Sequence, residues 1–142
     1  MDNSHKTAIT RKFLSAPMRY LNDQGLLAGR CLDYGCGKGF DADTLNIDGF
    51  DPYHRPTEPI GKFDTITCNY VLNVIPDEDE RQAVIDSVRS LLADGGKAYI
   101  SVRNDRVELQ GWTKRGTWQG LVYLDLPIVK SSPRFRMYLI EG

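Results

Sequence analysis

The sequence is organised around a glycine-rich loop in residues 31–41. A short apolar run reaches Asp33, and glycines then occupy alternate positions at Gly35, Gly37 and Gly39. Because glycine has no Cβ, such a loop turns sharply and lets a ligand lie directly against the backbone. The pattern predicts a strand, a tight turn and the start of a helix. Its G-x-G-x-G spacing differs from the G-x-G-x-x-G of dinucleotide-binding folds.

Two acidic residues flank this loop. Asp33 stands at the end of the predicted strand, where a carboxylate suits a cationic group better than a pyrophosphate. Asp51 follows 18 positions later, about where an acidic side chain meets ribose hydroxyls in nucleotide-binding folds. A nucleoside with a positively charged amino-acid tail fits both acids, and S-adenosylmethionine is such a ligand. The alternative is an ordinary glycine turn with surface acids.

The loop and its acids resemble motifs I and II of the class I methyltransferases. The resemblance implies an α/β fold with a Rossmann-like sheet, mostly parallel with an antiparallel C-terminal edge. On the resemblance, Asp33 would hold the methionine end of S-adenosylmethionine and Asp51 would accept from the ribose. The product would be S-adenosylhomocysteine, and no metal is implied. The residues implied to contact the cofactor are Asp33, Gly35, Cys36, Gly37, Gly39, Asp51, Pro52, Cys68 and Asn69.

Several stretches also resemble the methyltransferases encoded beside DNA phosphorothioation genes, and their short stand-alone relatives. These stretches are residues 7–17, 25–27, 33–41, 51–53, 70–75 and 80–81, within a span of 7–103. The resemblance supports the cofactor more strongly than the methyl acceptor. Nucleic acid and a small molecule therefore both stay open as acceptors.

The region after Asp51 is rich in prolines. Three of them lie between residues 52 and 59 and exclude regular structure there. An alternating strand over residues 62–70 follows almost at once. Class I methyltransferases usually place a helix and a third strand at this point, so the sequence predicts an abbreviated sheet in which the third-strand region is missing or reduced. Tyr53, His54 or the proline segment would then have to cover the adenine.

The other predicted elements follow from apolar periodicity and from helix end signals. Ser15 and Gly25 delimit a helix that either covers the cofactor or simply packs, and Asp77 and the glycines at 95–96 delimit another. A short helix is predicted over 40–46, and strands over 97–103, 121–126 and 135–141. The expected plan is one domain, with a helical cap (1–29), a cofactor-binding core (30–103) and a loop with C-terminal strands (104–142).

Charge is distributed unevenly along the chain. Lys and Arg exceed Asp and Glu by three in residues 1–30 and again in residues 101–142, whereas residues 31–100 carry a net charge of −7. If both ends of the chain converge on the cofactor cleft, they would face a polyanion such as nucleic acid. The alternative is a solvated surface without such a partner.

Hydropathy and cysteine usage indicate the compartment. No apolar run is long enough to cross a bilayer, and the N-terminus lacks the apolar stretch of a signal peptide. These features predict a cytoplasmic protein without a membrane partner. Its three cysteines include no C-x-x-C pair, which favours buried reduced thiols over a metal site.

Candidate catalytic residues end the strand predicted at 62–70. On the resemblance, Cys68, Asn69 and Tyr70 would face the transferred methyl group, with Asn69 as an orienting amide and Tyr70 as a stacking platform. Simple packing at the strand end is the alternative. Asn69 and Tyr70 are similar to part of the Asn/Asp-Pro-Pro-Tyr motif of amino-methylating DNA enzymes, but both prolines are missing. Candidate substrate residues are Arg103, Arg115, Thr117 and Trp118, because a Trp beside Arg can stack a base or another planar substrate. The alternative is that Trp112 and Trp118 simply cover the shortened core.

The sequence therefore predicts an S-adenosylmethionine-dependent methyltransferase with an unidentified acceptor. The alternative is a non-catalytic module that binds S-adenosylmethionine or S-adenosylhomocysteine. Such a module would act with a partner protein or as a homodimer, and the partner would supply the missing third-strand region. A nicotinamide-nucleotide oxidoreductase is disfavoured by the glycine spacing and by Asp33.

Overall fold

A computed structural model describes residues 4–8, 10–105, 111–113 and 116–142. Short 3₁₀ turns cover Ser4–Thr7 and Leu72–Val74. The α-helices are α1 (Ala16–Asp23), α2 (Phe40–Leu45) and α3 (Glu78–Leu91). The strands are β1 (Cys31–Tyr34), β2 (Asp48–Phe50), β3 (Phe63–Asn69), β4 (Leu92–Arg103), β5 (Gly111–Trp112), β6 (Trp118–Gln119), β7 (Ile128–Ser131) and β8 (Phe135–Glu141).

The main sheet has six strands in the order β2-β1-β3-β4-β8-β7. Strands β2, β1, β3 and β4 are parallel, whereas β8 and β7 are antiparallel to their neighbours. The predicted mostly parallel sheet with an antiparallel C-terminal edge is therefore confirmed. Within the described ranges no strand lies beyond β2, so the third strand expected of a full-length sheet is missing, as predicted.

The two faces of the sheet bury different clusters. On one face, α3 packs Ile85 and Val88 against a large apolar core that includes Ile66 and Ile100. On the other face, α1 packs Met18 and Leu21 against a smaller cluster that contains Tyr99, Phe135 and Met137. Successive side chains of a strand point to opposite faces, so β4 and β8 contribute to both clusters, whereas β1 and β3 supply apolar residues to the larger one. The smaller cluster leaves room for polar residues near the ends of the strands.

The helix ends agree only in part with the sequence signals. Helix α1 begins after Ser15, and Gly25 beyond it has a φ of +68°, as expected of a residue that ends a helix. Helix α3 begins after Asp77, but it ends at Leu91 and not at the predicted glycines 95–96. The chain becomes extended at Leu92 because this buried residue already pairs with Phe63 in the sheet.

The strand predicted over residues 121–126 is wrong. This segment is irregular, and the edge strand is β7, which pairs with β8. The apolar residues that produced the pattern pack against the large core, where Val122 is buried and Leu124 and Leu126 are partly buried. Their alternation therefore reflects side-chain packing without strand pairing. The preceding segment forms a small β5–β6 hairpin, within the range expected to be a loop or irregular hairpin.

Candidate active site

The carboxyl ends of β1, β3 and β4 open into one cleft of about 1090 Å³. Ligands of open α/β sheets bind at this edge of the strands. Small-molecule sites are commonly about 300–1,000 Å³, so the cleft has room for a cofactor and an acceptor. It brings together most of the predicted site, and the predicted residues that line it are Asp33, Gly35, Cys36, Gly37, Gly39, Asp51, Pro52, Asn69, Tyr70 and Arg103.

The glycine loop turns tightly between β1 and α2. The amides of Gly35 and Cys36 both donate to the carbonyl oxygen of Phe50, at 2.7 and 2.9 Å. Gly35 has a φ of +83°, and a Cβ at this position would collide with Cγ2 of Val71. A side chain is therefore excluded at Gly35 by both conformation and space. The loop presents bare backbone to the cleft.

Asp33 is a buried carboxyl group at the end of β1. Its exposed fraction is 3 %, and Oδ1 accepts a hydrogen bond of 2.9 Å from Oγ1 of Thr67. The pKa of Asp33 is raised to about 7 in all, mainly by burial and also by the negative charge of Asp41. The hydrogen bond from Thr67 and the positive charge of Arg11 lower the pKa and so limit this rise. The group therefore titrates near neutral pH. A ligand cation beside it would favour the ionised form.

The other two carboxylates of this end have protein partners. Asp41 accepts hydrogen bonds from the amide and the hydroxyl of Ser15, at 3.0 and 2.7 Å, which ties α2 to the start of α1. Asp51 accepts from the amides of Tyr53 and His54 through Oδ1, and from the amide of Gly37 through Oδ2. These bonds fix both carboxylates before any ligand arrives.

The N-terminal segment packs over the glycine loop. The ring of His5 stacks on Tyr53 with centroids 4.0 Å apart, and Nε2 of His54 lies 3.4 Å from the His5 carbonyl oxygen. Ala8 lies 3.3 Å from the position that a Cβ on Gly37 would take. His5, Ala8 and Tyr53 all line the cleft. This arrangement fits a cover over the cofactor region, while contact of Tyr53 or His54 with adenine stays a prediction.

The Tyr70 end of the cleft lies where β3 ends and contains Asn69 and Tyr70. Tyr70 has a φ of +61°, a left-handed conformation that is rare for a bulky residue, and its amide donates to the Ser101 carbonyl oxygen at 2.8 Å. The side-chain amide of Asn69 and the hydroxyl of Ser101 are buried without a hydrogen-bond partner in the described structure. Burial raises the pKa of the Tyr70 phenol, which therefore stays protonated at neutral pH.

Some predicted site residues do not reach the cleft. Cys68 is fully buried in the large core, because alternation along β3 turns it away from Asn69, and burial raises the pKa of its thiol. Thr117 is buried against Thr113, and the ring of Trp118 lies 5.8 Å from the Arg81 guanidinium carbon. Arg115 lies outside the described residues. The substrate roles of these three residues of the chain's last third stay predictions.

Sequence reasoning missed three residues that line the cleft: Arg11, Asn73 and Arg134. Asn73 is 1 % exposed, donates to Oε1 of Gln119 at 3.3 Å, and accepts from the amide of Arg103 at 3.4 Å. It thereby joins the turn after β3 to the end of β4 and to β6. Arg11 and Asn73 both lie in stretches that carried the family resemblance, whereas nothing in the sequence distinguishes Arg134.

The strand order of the sheet and the cleft at its carboxyl edge are those of a Rossmann-like methyltransferase fold. Residues 7–127 match the sequence profile of the family described as "Methyltransferase domain". The chain therefore belongs to the methyltransferase domain family.

The curated relatives are O-methyltransferases. The chain is 26 % identical over 129 residues to the ubiquinone biosynthesis O-methyltransferase of Psychrobacter cryohalolentis, a match that covers 68 % of this chain and 49 % of the relative. It is 27 % identical over 125 residues to the enzyme of the same name from Psychrobacter arcticus, a match that covers 65 % of this chain and 48 % of that enzyme. The chain thus spans about half the length of the curated relatives it matches.

Solved structures share the fold. A complex of DhpI with S-adenosylhomocysteine aligns with a TM-score of 0.57 at 16 % identity, covering 97 % of this chain and 92 % of DhpI. The N-methyltransferase NodS from Bradyrhizobium japonicum, also bound to S-adenosylhomocysteine, aligns with a TM-score of 0.57 at 12 % identity, covering 89 % and 84 %. Magnesium protoporphyrin IX methyltransferase from Synechocystis aligns with a TM-score of 0.56 at 15 % identity, covering 99 % of this chain and 93 % of that enzyme. At these identities the likeness shows the fold alone.

Membrane-spanning helices and metal-binding clusters are both absent from the described ranges. No helix in them is long and apolar enough to cross a bilayer. Nor do their His, Cys, Asp and Glu side chains form a group of three or more that could hold a metal ion.

Proposed function

We propose that the protein is an S-adenosylmethionine-dependent methyltransferase that binds its cofactor at the glycine-loop end of the cleft and its acceptor at the Tyr70 end. The observation that carries this proposal is the presence, in one cleft, of bare glycine backbone beside a buried carboxyl group and, across from it, of an unpartnered amide. The first half suits a nucleoside with a cationic tail. The second half suits a polar acceptor.

The residues of the glycine-loop end fit the cofactor. Asp33 would hold the amino group, because a cation stabilises the ionised form of a carboxyl whose pKa is raised to about 7. Gly35, Gly37 and Gly39 line the cleft with backbone alone, and the positions that Cβ atoms would take at Gly35 and Gly39 are filled by Val71 and Arg55. A carboxylate has about four acceptor positions; amides of Gly37, Tyr53 and His54 occupy three at Asp51, which leaves one for a ribose hydroxyl.

The chain's own contribution to the chemistry is orientation. When bound, the cofactor supplies an electrophilic methyl group that is transferred in line to a nucleophile. The amide of Asn69 would position the acceptor, since both of its polar atoms are free of protein partners in the described structure. Tyr70 is a hydrogen-bonding phenol and not a base, because its pKa is raised by burial. A base is required only for a nucleophile that carries a proton.

A small molecule is the favoured acceptor class. The matched relatives are named for ubiquinone biosynthesis, and the sequence pI of about 6.1 lies well below the strongly basic values typical of nucleic-acid-binding domains, about 9 and above. Nucleic acid is the second candidate, in line with the narrower resemblance to the phosphorothioation-associated enzymes. The observation that favours it is that basic residues from both ends of the chain, such as Lys12 and Arg134, line the same cleft.

Calorimetric titration with S-adenosylmethionine, S-adenosylhomocysteine and NADH tests the cofactor. We expect both sulfur nucleosides to bind and NADH not to bind. Asp51→Asn should weaken S-adenosylhomocysteine by about tenfold, since charged hydrogen bonds contribute about 1.5–3 kcal/mol. Asp48→Asn is the matched control, because Asp48 is an exposed carboxylate of the same β2 region that pairs with Arg30 at 3.7 Å.

Transfer of labelled methyl groups to small molecules and to nucleic acids then tests turnover. Incorporation would separate the enzyme from the non-catalytic module, whose partner or homodimer stays a prediction. Failure of the folded protein to bind either sulfur nucleoside, or preferential binding of NADH, would contradict the proposal.

A further inference from the structure

A row of polar side chains crosses the α1 face of the sheet at the floor of the cleft. In the sheet register, Asp33 pairs with Thr67 in β3, and Asn69 pairs with Ser101 in β4. Thr67 and Asn69 are two residues apart and so point to the same face. The first pair is satisfied by its own hydrogen bond of 2.9 Å. The second pair is not: the Asn69 amide and the Ser101 hydroxyl have no partner in the described structure.

Unpartnered buried polar groups are costly, at about 1–3 kcal/mol each. Here three such atoms, Nδ2 and Oδ1 of Asn69 and Oγ of Ser101, lie together at the ends of adjacent strands. Asn69 also lines the cleft. The arrangement is explained if a polar ligand group completes the hydrogen bonding.

Cationic side chains surround the same end of the cleft. Arg11, Arg103 and Arg134 come from three separate parts of the chain, line the cleft, and act electrostatically on the Tyr70 phenol. Arg103 is held by Asp105 through two bonds of 3.0 and 3.1 Å. The guanidinium groups of Arg11 and Arg134 form no hydrogen bond or ion pair within the part of the chain that the structure describes. Positive charge at this end is therefore only partly compensated.

The two ends of the cleft differ in charge. Asp33, Asp41 and Asp51 lie at the glycine-loop end with the cation Lys38, whereas three guanidinium groups and one carboxylate, Asp105, act on Tyr70. Arg11 acts on Asp33 as well. Guanidinium groups bind carboxylate and phosphoryl groups through paired hydrogen bonds. Arg11 is half-buried, and the amide atoms of Asn69, a residue that lines the cleft, are buried, so this end suits a compact anion better than a polymer.

We propose that the methyl acceptor is a small molecule with a carboxylate or phosphoryl group, which binds between Arg11, Arg103 and Arg134. The Asn69 amide hydrogen-bonds a neutral polar group of the same molecule. This assignment rests on the function proposed above. Because Arg11 also faces Asp33, it borders the cofactor region, so Arg134 provides the cleaner test.

The test is an NMR titration of the full chain saturated with S-adenosylhomocysteine, at fixed ionic strength. The probes are benzoate and phenylphosphonate, with benzamide as the neutral analogue of benzoate and a short oligothymidylate as the polyanion. Saturation by the cofactor product ensures that the probes report a separate anion site. Variants Arg134→Gln and Arg11→Gln remove one cleft cation each. Arg134→Lys keeps the charge but loses the paired hydrogen-bond donors of the guanidinium group. Arg89→Gln is the control, because Arg89 is exposed on α3 and does not line the cleft.

We expect saturable shifts with both acids, at dissociation constants on the order of 1 mM, and none with benzamide. Arg134→Gln should weaken the acids by about fivefold or more, Arg134→Lys should weaken them less, and Arg89→Gln should match the wild type. Equal shifts with benzamide, or unaltered binding in Arg134→Gln, would overturn the proposal. Preferential, strongly salt-dependent binding of oligothymidylate would replace it with a polyanion site.

Calorimetry of S-adenosylhomocysteine on the same samples separates the two proposals. Product binding without acid binding would reject the anionic acceptor and leave the proposed function standing. Absence of product binding would reject the proposed function. Acid binding measured on that protein without the cofactor product would then overturn the acceptor assignment, because the anion site would have no methyl donor beside it.

Discussion

The two ends of the cleft differ in how far the protein completes its own polar contacts. At the glycine-loop end, Asp41 and Asp51 accept from protein donors, and Asp33 accepts from Thr67. At the Tyr70 end, Asn69 and Ser101 have no partner in the described structure. The glycine-loop end is thus organised before a ligand binds, as expected for a site shared by all cofactor-bound states. The Tyr70 end leaves polar atoms unsatisfied, as expected if it is the proposed acceptor site.

The organised end is most sensitive to change at Gly35. Gly35→Ala places a left-handed alanine against Cγ2 of Val71, so it combines backbone strain of about 1–2 kcal/mol with overpacking of about 1–3 kcal/mol. Gly95→Ala is the matched control, because Gly95 has a φ of +76° but a Cβ there meets nothing within 4 Å. Chemical denaturation should show a much larger loss of unfolding free energy for Gly35→Ala. Equal losses would show that the loop tolerates a side chain.

Asp33→Asn probes the buried carboxyl of the same end. The change should weaken S-adenosylhomocysteine by about 10–100-fold at pH 8, because it removes a charged hydrogen bond to the amino group. It should also stabilise the ligand-free protein against heat. The pKa of Asp33 is about 7 when folded and near 3.8 when unfolded, so the native protein loses stability as pH rises from about 4 to 7. Asparagine avoids that loss.

The stability gain of Asp33→Asn therefore has a defined pH profile. Scanning calorimetry should find it small near pH 4, growing up to about pH 7 and constant above. A gain that is independent of pH would contradict the raised pKa. Weak binding without any gain in stability would indicate that Asp33 is also needed for packing.

Asparagines 69 and 73 provide a direct comparison of a free and a bonded amide. Asn73→Ala should cost about 1–3 kcal/mol of unfolding free energy, because it leaves Gln119 and the Arg103 amide without their partner. Asn69→Ala should instead raise the unfolding free energy of the ligand-free protein, since no hydrogen bond is lost and two buried polar atoms without partners, at about 1–3 kcal/mol each, are removed. Methyl transfer, once an acceptor is known, should fall in both variants. A large loss of stability in Asn69→Ala would show that its amide does bond within the protein.

The smallest expected effect is the pH dependence of cofactor affinity. The proposed contact between Asp33 and the amino group of S-adenosylhomocysteine requires the ionised carboxylate, whose fraction rises as pH passes its pKa of about 7. Affinity should therefore increase by about eightfold from pH 6 to 7.5. Calorimetry at both pH values measures this ratio, and Asp33→Asn should abolish it. A ratio near one in the wild type would show that Asp33 is ionised throughout this range.

The sequence identified the glycine-loop end better than the Tyr70 end. Glycine spacing, Asp33 and Asp51 are local signals, because chain neighbours alone determine the turn and the strand ends. The position of Cys68 was missed because its neighbours did not reveal which of two alternating residues faces the cleft. Arg134 was missed for a different reason: it reaches the cleft only through the antiparallel pairing of β8 with β4, a contact between distant parts of the chain.

The elements of the fold divide in the same way. Helix α1 and strands β1 and β3 follow from end signals and alternation, and the structure has them where these signals lie. The segment 121–126 shows the limit of alternation as a signal, since a loop that packs against a core produces the same pattern as a strand. The end of α3 shows another limit: a buried leucine that pairs in the sheet ended the helix before the glycines did.

The missing third strand leaves β2 at the edge of the sheet, where exposed backbone groups invite pairing with other chains. Strand β2 is only three residues long, Asp48–Phe50. Immediately after it, Asp51 and Arg55 bond to each other through both amides at 3.0 Å, and the prolines beyond lack a donor. The edge therefore has little backbone left to template aggregation. A partner would find few free backbone groups at the β2 edge and would have to recognise side chains there.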